Sequence, residues 1–269
     1  MTDPQVALVT GASSGIGRAT AELLAARGFR VFGASRRTPD PLPSGVRDAW
    51  VTMDVRDETA VESGVAGVLA RAGRIEALVL SAGYSVFGSV EELSLQRARE
   101  QIETNLIGTL APLRAVLRAM REARRGRIVV VGSLAGRAPI PFQAHYSATK
   151  AALDALTLAL RIEVAPFGIG VSLVEPGDIS TPFNDHMAWG DTSGSAYADR
   201  LRRCERVVRE SLPKAPGPEV VAAVIHRALT ARRPRVRYAV GPDSWLVPLG
   251  RRFLPDWLSL ALIRDHFDV

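Results

Sequence analysis

Tyr146 and Lys150 are the residues whose types and spacing point most directly to chemistry. On a helix, residues four apart lie one turn apart on nearly the same face. An ammonium group in that position favours the phenolate, so we expect Lys150 to lower the pKa of Tyr146 towards the range of a general acid or base. The alternative is two unrelated surface residues. Against it, Lys150 and Lys214 are the only lysines among 34 basic residues, and arginine would not replace a lysine whose pKa is adjustable.

A glycine-rich octet from Thr10 to Gly17 is the second feature with chemical potential. It follows the apolar run 6–9, typical of a buried strand, and precedes a helical pattern that ends near Gly28. In that context, glycines bring backbone N–H groups to a pyrophosphate at a helix N-terminus. The alternative is a tight turn without a ligand. The glycine spacing is Gly-x-x-x-Gly-x-Gly.

Residues 33–37 follow about 20 residues after the glycines, where a protein that binds NAD would offer an acid to the ribose. This stretch contains no acid and ends in Arg36 and Arg37. Paired arginines suit a 2′-phosphate, which predicts a preference for NADP(H) over NAD(H). A solvated arginine loop is the alternative.

The chain from residue 5 to about 185 resembles the short-chain dehydrogenase/reductase family. The matching features, in chain order, are the glycine loop, Asp54, Asn105, Ser133, the Tyr146/Lys150 pair and Pro176-Gly177. The resemblance implies an α/β fold: one Rossmann-type, doubly wound parallel sheet of about seven strands, with helices on both faces. Ser81 departs from the family pattern, which usually has Asn there.

The resemblance also implies the site and its chemistry. The reaction would be reversible hydride transfer between the nicotinamide and a carbonyl or alcohol carbon, with Tyr146 as the proton donor, Ser133 on the reacting oxygen, Lys150 on the tyrosine and ribose, and Asn105 on a proton path. The expected cofactor-binding residues are Gly11, Ser13, Ser14, Gly15, Ile16, Gly17, Arg36, Arg37, Asp54, Val55, Ala82, Gly83, Tyr146, Lys150, Pro176, Gly177, Ile179 and Thr181.

The substrate is expected to be bulky and apolar. The run from Gly126 to Phe183 looks similar to the branch that contains 17β-hydroxysteroid and retinol dehydrogenases. The variable segment 182–214 is interpreted as a substrate lid, within a single domain of residues 1–269. The segment 241–269 is interpreted as an apolar tail that packs over the substrate cleft or against a neighbouring subunit. Two alternatives stay open: a 3-oxoacyl-thioester reductase, and a non-catalytic protein that senses NADP(H).

Composition limits the other possibilities. The net charge of +6 comes from scattered arginines without a basic arm, so no nucleic-acid partner is expected. One cysteine and four separated histidines predict no metal site. With no leader-like pattern and no long apolar run, we expect a cytoplasmic protein, with peripheral membrane contact by the tail as a lesser alternative. The apolar helix from residue 144 suggests a homodimer or homotetramer.

Overall fold

The computed structural model describes residues 3–46, 49–181, 188–189, 194–242 and 244–269. Its main element is a seven-stranded sheet in which every neighbouring pair is parallel. The strands in chain order are β1 Val6–Thr10, β2 Arg30–Ser35, β3 Trp50–Thr52, β4 Ala77–Leu80, β5 Val86–Phe87, β6 Gly126–Val131, β7 Ile169–Pro176, β8 Ala188–Trp189 and β9 Arg237–Val240. The sheet order is β3-β2-β1-β4-β6-β7-β9, while β5 and β8 form a separate two-stranded pair.

Helices cover both faces of the sheet. They are α1 Gly15–Ala26, α2 Glu58–Ala72, α3 Leu95–Ile102, α4 Gly108–Glu122, α5 Ala144–Val164, α6 Ala198–Ser211, α7 Glu219–Thr230, α8 Leu246–Phe253 and α9 Asp256–His266. Strand residues alternate between two apolar cores. Leu8 and Leu78 face the core under α2, α4 and α5, whereas Val9 and Val79 face the core under α1 and α7. The expected doubly wound architecture is confirmed, and the almost wholly apolar central strands β1, β4, β6 and β7 are buried on both faces.

The helical segment from Leu95 to Glu122 is interrupted. A π-helical turn, Glu103–Ile107, joins α3 to α4 and contains the fully buried Asn105. Such turns occur mostly as local insertions in helices and are frequent at functional sites. The asparagine therefore lies where the helix changes its hydrogen-bonding register.

Two regions singled out in the sequence are the expected lid, which the structure describes in part, and α5, which is exposed on one side. Within the expected lid, α6 is described, but 182–187 and 190–193 lie outside the described residues. On α5, one side packs on the sheet while Ala148, Ala151, Ala155 and Ile162 are exposed in the single chain. That exposed side is where a partner subunit was expected, and the expectation stays a prediction.

Candidate active site

Most of the residues predicted to bind the cofactor or to take part in the reaction lie at the carboxyl ends of β1, β4, β6 and β7. Since all seven strands run in one direction, the loops that follow them open on the same edge, where open parallel sheets bind ligands. A single cleft of about 2080 Å³ runs along this edge, from the glycine loop past Ser133 and Tyr146 to α8 and α9.

Ser133 and Tyr146 are brought together although 13 positions separate them in the sequence. Ser133 directly follows β6 and Gly132, and its Oγ accepts a hydrogen bond from the backbone N–H of Ala135 at 3.1 Å. Tyr146 lies in the first turn of α5, and its phenol is hydrogen-bonded to Ser133. A carbonyl oxygen of a substrate entering the cleft would therefore meet two hydroxyl groups, which suits proton transfer and stabilisation of developing negative charge.

Burial dominates the ionisation of both α5 residues. It raises the pKa of Tyr146 to about 12, against the opposing effect of the hydrogen bond with Ser133. Burial also lowers the pKa of Lys150 to about 8, and the lysine side chain is 7% exposed. Its Nζ donates to the carbonyl of Val131 at 2.9 Å and lies 5.6 Å from the centroid of the tyrosine ring.

The expectation that Lys150 lowers the pKa of Tyr146 is therefore wrong for this chain by itself. The spacing does place the two side chains together, as expected. However, the same burial that encloses the phenol also removes water from the ammonium, and desolvation disfavours the charged form of each group. In this structure the tyrosine is a protonated acid at neutral pH.

Asn105 connects the loop after β4 to α5. Its Oδ1 accepts from the backbone N–H of Tyr84 at 3.0 Å. Its Nδ2 donates to the carbonyl of Tyr84 at 3.0 Å and to Oγ1 of Thr149 at 3.1 Å. The residue lies behind Gly83, where an added Cβ would come within 3.2 Å of Oδ1 and 3.9 Å of the Lys150 ammonium. Asn105 is thus a neighbour of the Tyr146/Lys150 pair, although it does not line the cleft.

The glycine loop has the shape of a phosphate cradle. Gly11 has a φ of +67°, and a Cβ there would lie 2.9 Å from the backbone of Ala82. A Cβ on Gly17 would lie 2.2 Å from the carbonyl oxygen of Gly11. Ser14, the N-cap of α1, makes no capping hydrogen bond with its side chain, which leaves the helix N-terminus open to an anion. Only glycines allow this packing, and the geometry fits a dinucleotide pyrophosphate.

The arginines at the end of the cleft beside β2 and β3 are not the pair that was expected. Arg36 lines the cleft and is exposed, whereas Arg37 is exposed and does not line it. Asp54, one of the expected cofactor-binding residues, is bound by Arg56, whose Nη2 lies 2.6 Å from Oδ2. That hydrogen bond is the main reason why the pKa of Asp54 is lowered, and the charge of Arg36 adds to the effect. Arg56, two residues beyond the aspartate, was not predicted from the sequence.

Most of the predicted site residues line the cleft, as the sequence analysis expected. The exceptions are Asn105, behind the cleft, and Arg37, outside it. The predicted residues that line it are Gly11, Ser13, Ser14, Gly15, Ile16, Gly17, Arg36, Asp54, Val55, Ala82, Gly83, Ser133, Tyr146, Lys150, Pro176, Gly177, Ile179 and Thr181.

The loop at Ser81 is held by the side chain of Thr10, which binds the backbone N–H groups of the loop. The Oγ1 of Thr10 accepts from the N–H of Ser81 at 3.1 Å and from that of Ala82 at 3.4 Å. The loop after β4 is therefore anchored to the end of β1 without an asparagine at position 81.

A cluster of four charged residues beside the cleft was also missed. Arg137, Glu175, Arg237 and Asp154 lie on four different segments and form ion pairs of 2.6 to 3.6 Å. The available signal was Glu175 itself, an acid at the end of the apolar run of β7, where an unpaired charge would be costly.

The far wall of the cleft is apolar and comes from the C-terminal helices. Leu246, Leu249, Phe253, Leu262 and Phe267 all line it. α6 anchors this wall, because Nη2 of Arg206 lies 2.7 Å from Oδ2 of Asp268. The tail therefore covers the cleft, as expected, although Trp257 on α9 remains 71% exposed.

Two other kinds of site do not occur within the described ranges. None of the helices there is both long and apolar enough to cross a membrane. The same residues contain no group of three or more His, Cys, Asp or Glu side chains arranged for a metal ion.

Comparison with known proteins agrees with this geometry. The profile of the family described as short chain dehydrogenase matches residues 5–189. The 3-ketodihydrosphingosine reductase of Bacteroides thetaiotaomicron is 34% identical over 269 residues, covering 99% of each chain. Mouse (Mus musculus) 17-beta-hydroxysteroid dehydrogenase type 1 is 33% identical over 254 residues, covering 88% of this chain and 73% of that protein. A short-chain dehydrogenase structure from Streptomyces avermitilis gives a TM-score of 0.83 at 35% identity, covering 97% of this chain and 99% of its own.

Proposed function

The chain belongs to the short chain dehydrogenase family, and from that premise we propose that it interconverts a ketone and an alcohol on a bulky, lipid-like substrate with NADP(H). The observation that carries the proposal is the continuity of the cleft. One cavity joins the glycine cradle, the Ser133–Tyr146 pair and the apolar wall of α8 and α9. A substrate whose ketone reaches Tyr146 would place the rest of its length against that wall.

The residues present fit a nicotinamide dinucleotide. The glycine cradle and the N-terminus of α1 would hold the pyrophosphate, since side chains are excluded there. Arg36 would pair with the 2′-phosphate, and Pro176 and Gly177 would lie against the nicotinamide. When bound, the reduced nicotinamide supplies the hydride.

The chain's own groups supply the proton and the orientation. Tyr146, protonated at neutral pH, donates its phenolic proton to the carbonyl oxygen during reduction. Ser133 donates a hydrogen bond to the same oxygen as negative charge develops there. Lys150 borders the phenol and orients the nicotinamide ribose, while Asn105 fixes the loop of Tyr84 against α5.

The preferred substrate class is a long-chain 3-ketone. The relative named 3-ketodihydrosphingosine reductase aligns over 99% of this chain, so the likeness includes α8 and α9, which build the apolar wall. The hydroxysteroid dehydrogenase covers 88% of the chain. We therefore place long-chain amino ketones before steroid ketones, and both before short thioesters.

The experiment is a turnover panel measured as NADPH consumption. It compares 3-ketodihydrosphingosine, a short-chain analogue with the same head group, a 17-ketosteroid and a short 3-oxoacyl thioester. We expect kcat/KM to be highest for the long-chain ketone. It should fall about tenfold for every ~1.4 kcal/mol of apolar burial that a shorter substrate does not provide. Preference for the thioester would favour a 3-oxoacyl-thioester reductase. NADPH binding without turnover would favour a sensor.

We further propose that the protein works in the cytoplasm as a homo-oligomer. The exposed alanines of α5 support the assembly, because a small-residue face permits close contact between two helices. A monomeric mass in solution at assay concentrations would contradict the second part of this proposal.

A further inference from the structure

The four-charge cluster defined above joins the segments that carry the catalytic groups. Arg137 ends the short turn that begins at Ser133, and Glu175 immediately precedes Pro176-Gly177 at the end of β7. Asp154 lies one turn after Lys150 on α5, and Arg237 opens β9. Each of the four segments therefore contributes one charged side chain.

Glu175 is the centre of the cluster. It is 1% exposed, and its carboxylate accepts two parallel hydrogen bonds from Arg137: Nε to Oε1 at 2.6 Å and Nη2 to Oε2 at 2.8 Å. Nη1 of Arg237 lies 3.6 Å from the same Oε1 and 2.7 Å from Oδ1 of Asp154. Two cations and two anions thus neutralise each other. A bidentate arginine–carboxylate pair fixes orientation as well as distance.

The backbone segments next to the cluster are the turn that contains Ser133 and the loop that contains Gly177. The turn of Ser133 packs so closely on α5 that a Cβ at Gly136 would lie 2.9 Å from the backbone of Lys150. The N–H of Gly136 donates to the carbonyl of Ser133 at 3.1 Å. On the other side, the N–H of Gly177 donates to Val240 at 2.8 Å, and Ser133 Oγ lies 3.5 Å from the carbonyl of Pro176. The serine turn and the Pro176-Gly177 loop are direct neighbours.

We propose that the Arg137–Glu175 pair, supported by Arg237 and Asp154, positions Ser133 against the Pro176-Gly177 loop and so sets the distance from the reacting oxygen to the nicotinamide. The inference rests on the proposed oxidoreductase function. These four residues do not line the cleft, so they are positioning residues that act through Ser133 and Gly177.

The primary variant is Glu175→Gln, which keeps the side-chain volume and removes the charge. Its matched control is Glu122→Gln, the same change in an exposed ion pair with Arg118 on α4. Because small displacements in a reacting geometry are expensive, we expect kcat to fall about 10- to 100-fold in Glu175→Gln. The KM for NADPH should change much less, since the phosphate cradle lies at β1. The control should match the wild type in both constants.

Two further readouts separate positioning from mere loss of stability. With NADPH deuterated at the transferred position, the isotope effect on kcat should rise in Glu175→Gln, because a misplaced ketone makes hydride transfer slower. Hydrogen exchange at the amides of Gly136 and Gly177 should also accelerate. Should Glu175→Gln fail to fold, Arg137→Lys keeps the charge but loses the bidentate geometry, and the same changes in smaller size are expected.

The result that overturns the inference is a folded Glu175→Gln or Arg137→Lys protein with wild-type kcat, isotope effect and amide exchange. An equal loss in Glu122→Gln would overturn it too. If the wild type turns over no ketone, the proposed function fails, while the exchange comparison still decides whether the cluster holds the two loops.

Discussion

Replacing Lys150 with Met should make the cofactor-free protein more stable at neutral pH while abolishing turnover. Lys150 is buried, and burial lowers its pKa from 10.5 to about 8. At pH 7 the folded chain therefore carries a desolvated ammonium that it would hold more easily when unfolded. Methionine has a similar length and no charge, so it removes that cost and leaves the packing of α5 largely intact.

The magnitude follows from the two pKa values. At 1.36 kcal/mol per pH unit, the difference between 10.5 and about 8 amounts to about 3 kcal/mol of unfolding free energy at pH 7. The hydrogen bond from Nζ to the carbonyl of Val131 is absent in the variant, which costs about 1 kcal/mol. The net gain should be about 2 kcal/mol.

The gain should depend on pH with a defined sign. Between pH 8 and 10.5 the unfolded wild type binds the lysine proton and the folded wild type does not, so wild-type stability rises with pH in that window. Lys150→Met lacks this rise. Its advantage should therefore shrink above pH 8, vanish before pH 10.5 and give way to a deficit of about 1 kcal/mol at higher pH, where only the lost hydrogen bond remains. Burial raises the pKa of Tyr146, which stabilises the folded state below pH 10. That stabilisation is lost only above pH 10, and it is lost in the wild type and in Lys150→Met alike.

The assay is urea unfolding of cofactor-free protein at pH 7 and near pH 10, followed by tryptophan fluorescence. Lys214→Met is the matched control, because Lys214 is the chain's other lysine and is exposed. We expect it to behave as the wild type at both pH values. A Lys150→Met protein that is less stable than the wild type at pH 7, or whose advantage is independent of pH, would refute the reasoning.

Three further predictions concern the cleft. Tyr146→Phe should retain NADPH binding, measured by fluorescence, and lose most turnover, because only the proton donor is removed. A kcat within about tenfold of the wild type would contradict the role of Tyr146 as proton donor. Arg36→Asp should lower the ratio of kcat/KM for NADPH to kcat/KM for NADH by about tenfold or more. Arg37→Asp, at a residue outside the cleft, should change that ratio much less. Equal effects of the two substitutions would exclude Arg36 as the phosphate ligand. Deleting residues 245–269 should raise KM for the long-chain ketone, measured by steady-state kinetics, and leave NADPH affinity unchanged, measured by fluorescence titration. Unchanged kinetics with unchanged mass in solution would show that the segment lines the cleft without contributing to binding.

The sheet and much of the candidate site were predictable, because they depend on local sequence and on the family resemblance. Short apolar runs such as 6–9 and 128–131 are typical of buried strands, and glycines mark where backbones must approach closely. Ser133 and the Tyr146/Lys150 pair follow from their positions after a strand and on one helix face. Parallel strands then bring distant loops to one edge.

The ionisation of those residues was not predictable in the same way. Spacing predicts which side chains meet, but the direction of a pKa change depends on how much water remains, which only the folded chain defines. At Tyr146, burial outweighs the hydrogen bond with Ser133, so the pKa of the phenol is raised and not lowered as expected. Long-range ion pairs are equally hidden: 38 positions separate Arg137 from Glu175, and they meet only because β6 and β7 are adjacent.

The apolar wall of α8 and α9 has a consequence for how this scaffold diversifies. These helices add no strand to the seven-stranded sheet, and their cleft-facing side chains lie beyond β9, after every element that holds the cofactor or the proton donor. We expect substitutions there to alter the shape offered to a ligand while the sheet and the Ser133–Tyr146 pair stay in place. The segment is thus a separable module, and exchanging residues 245–269 with those of a relative is a direct route to a changed ligand range on an unchanged reaction.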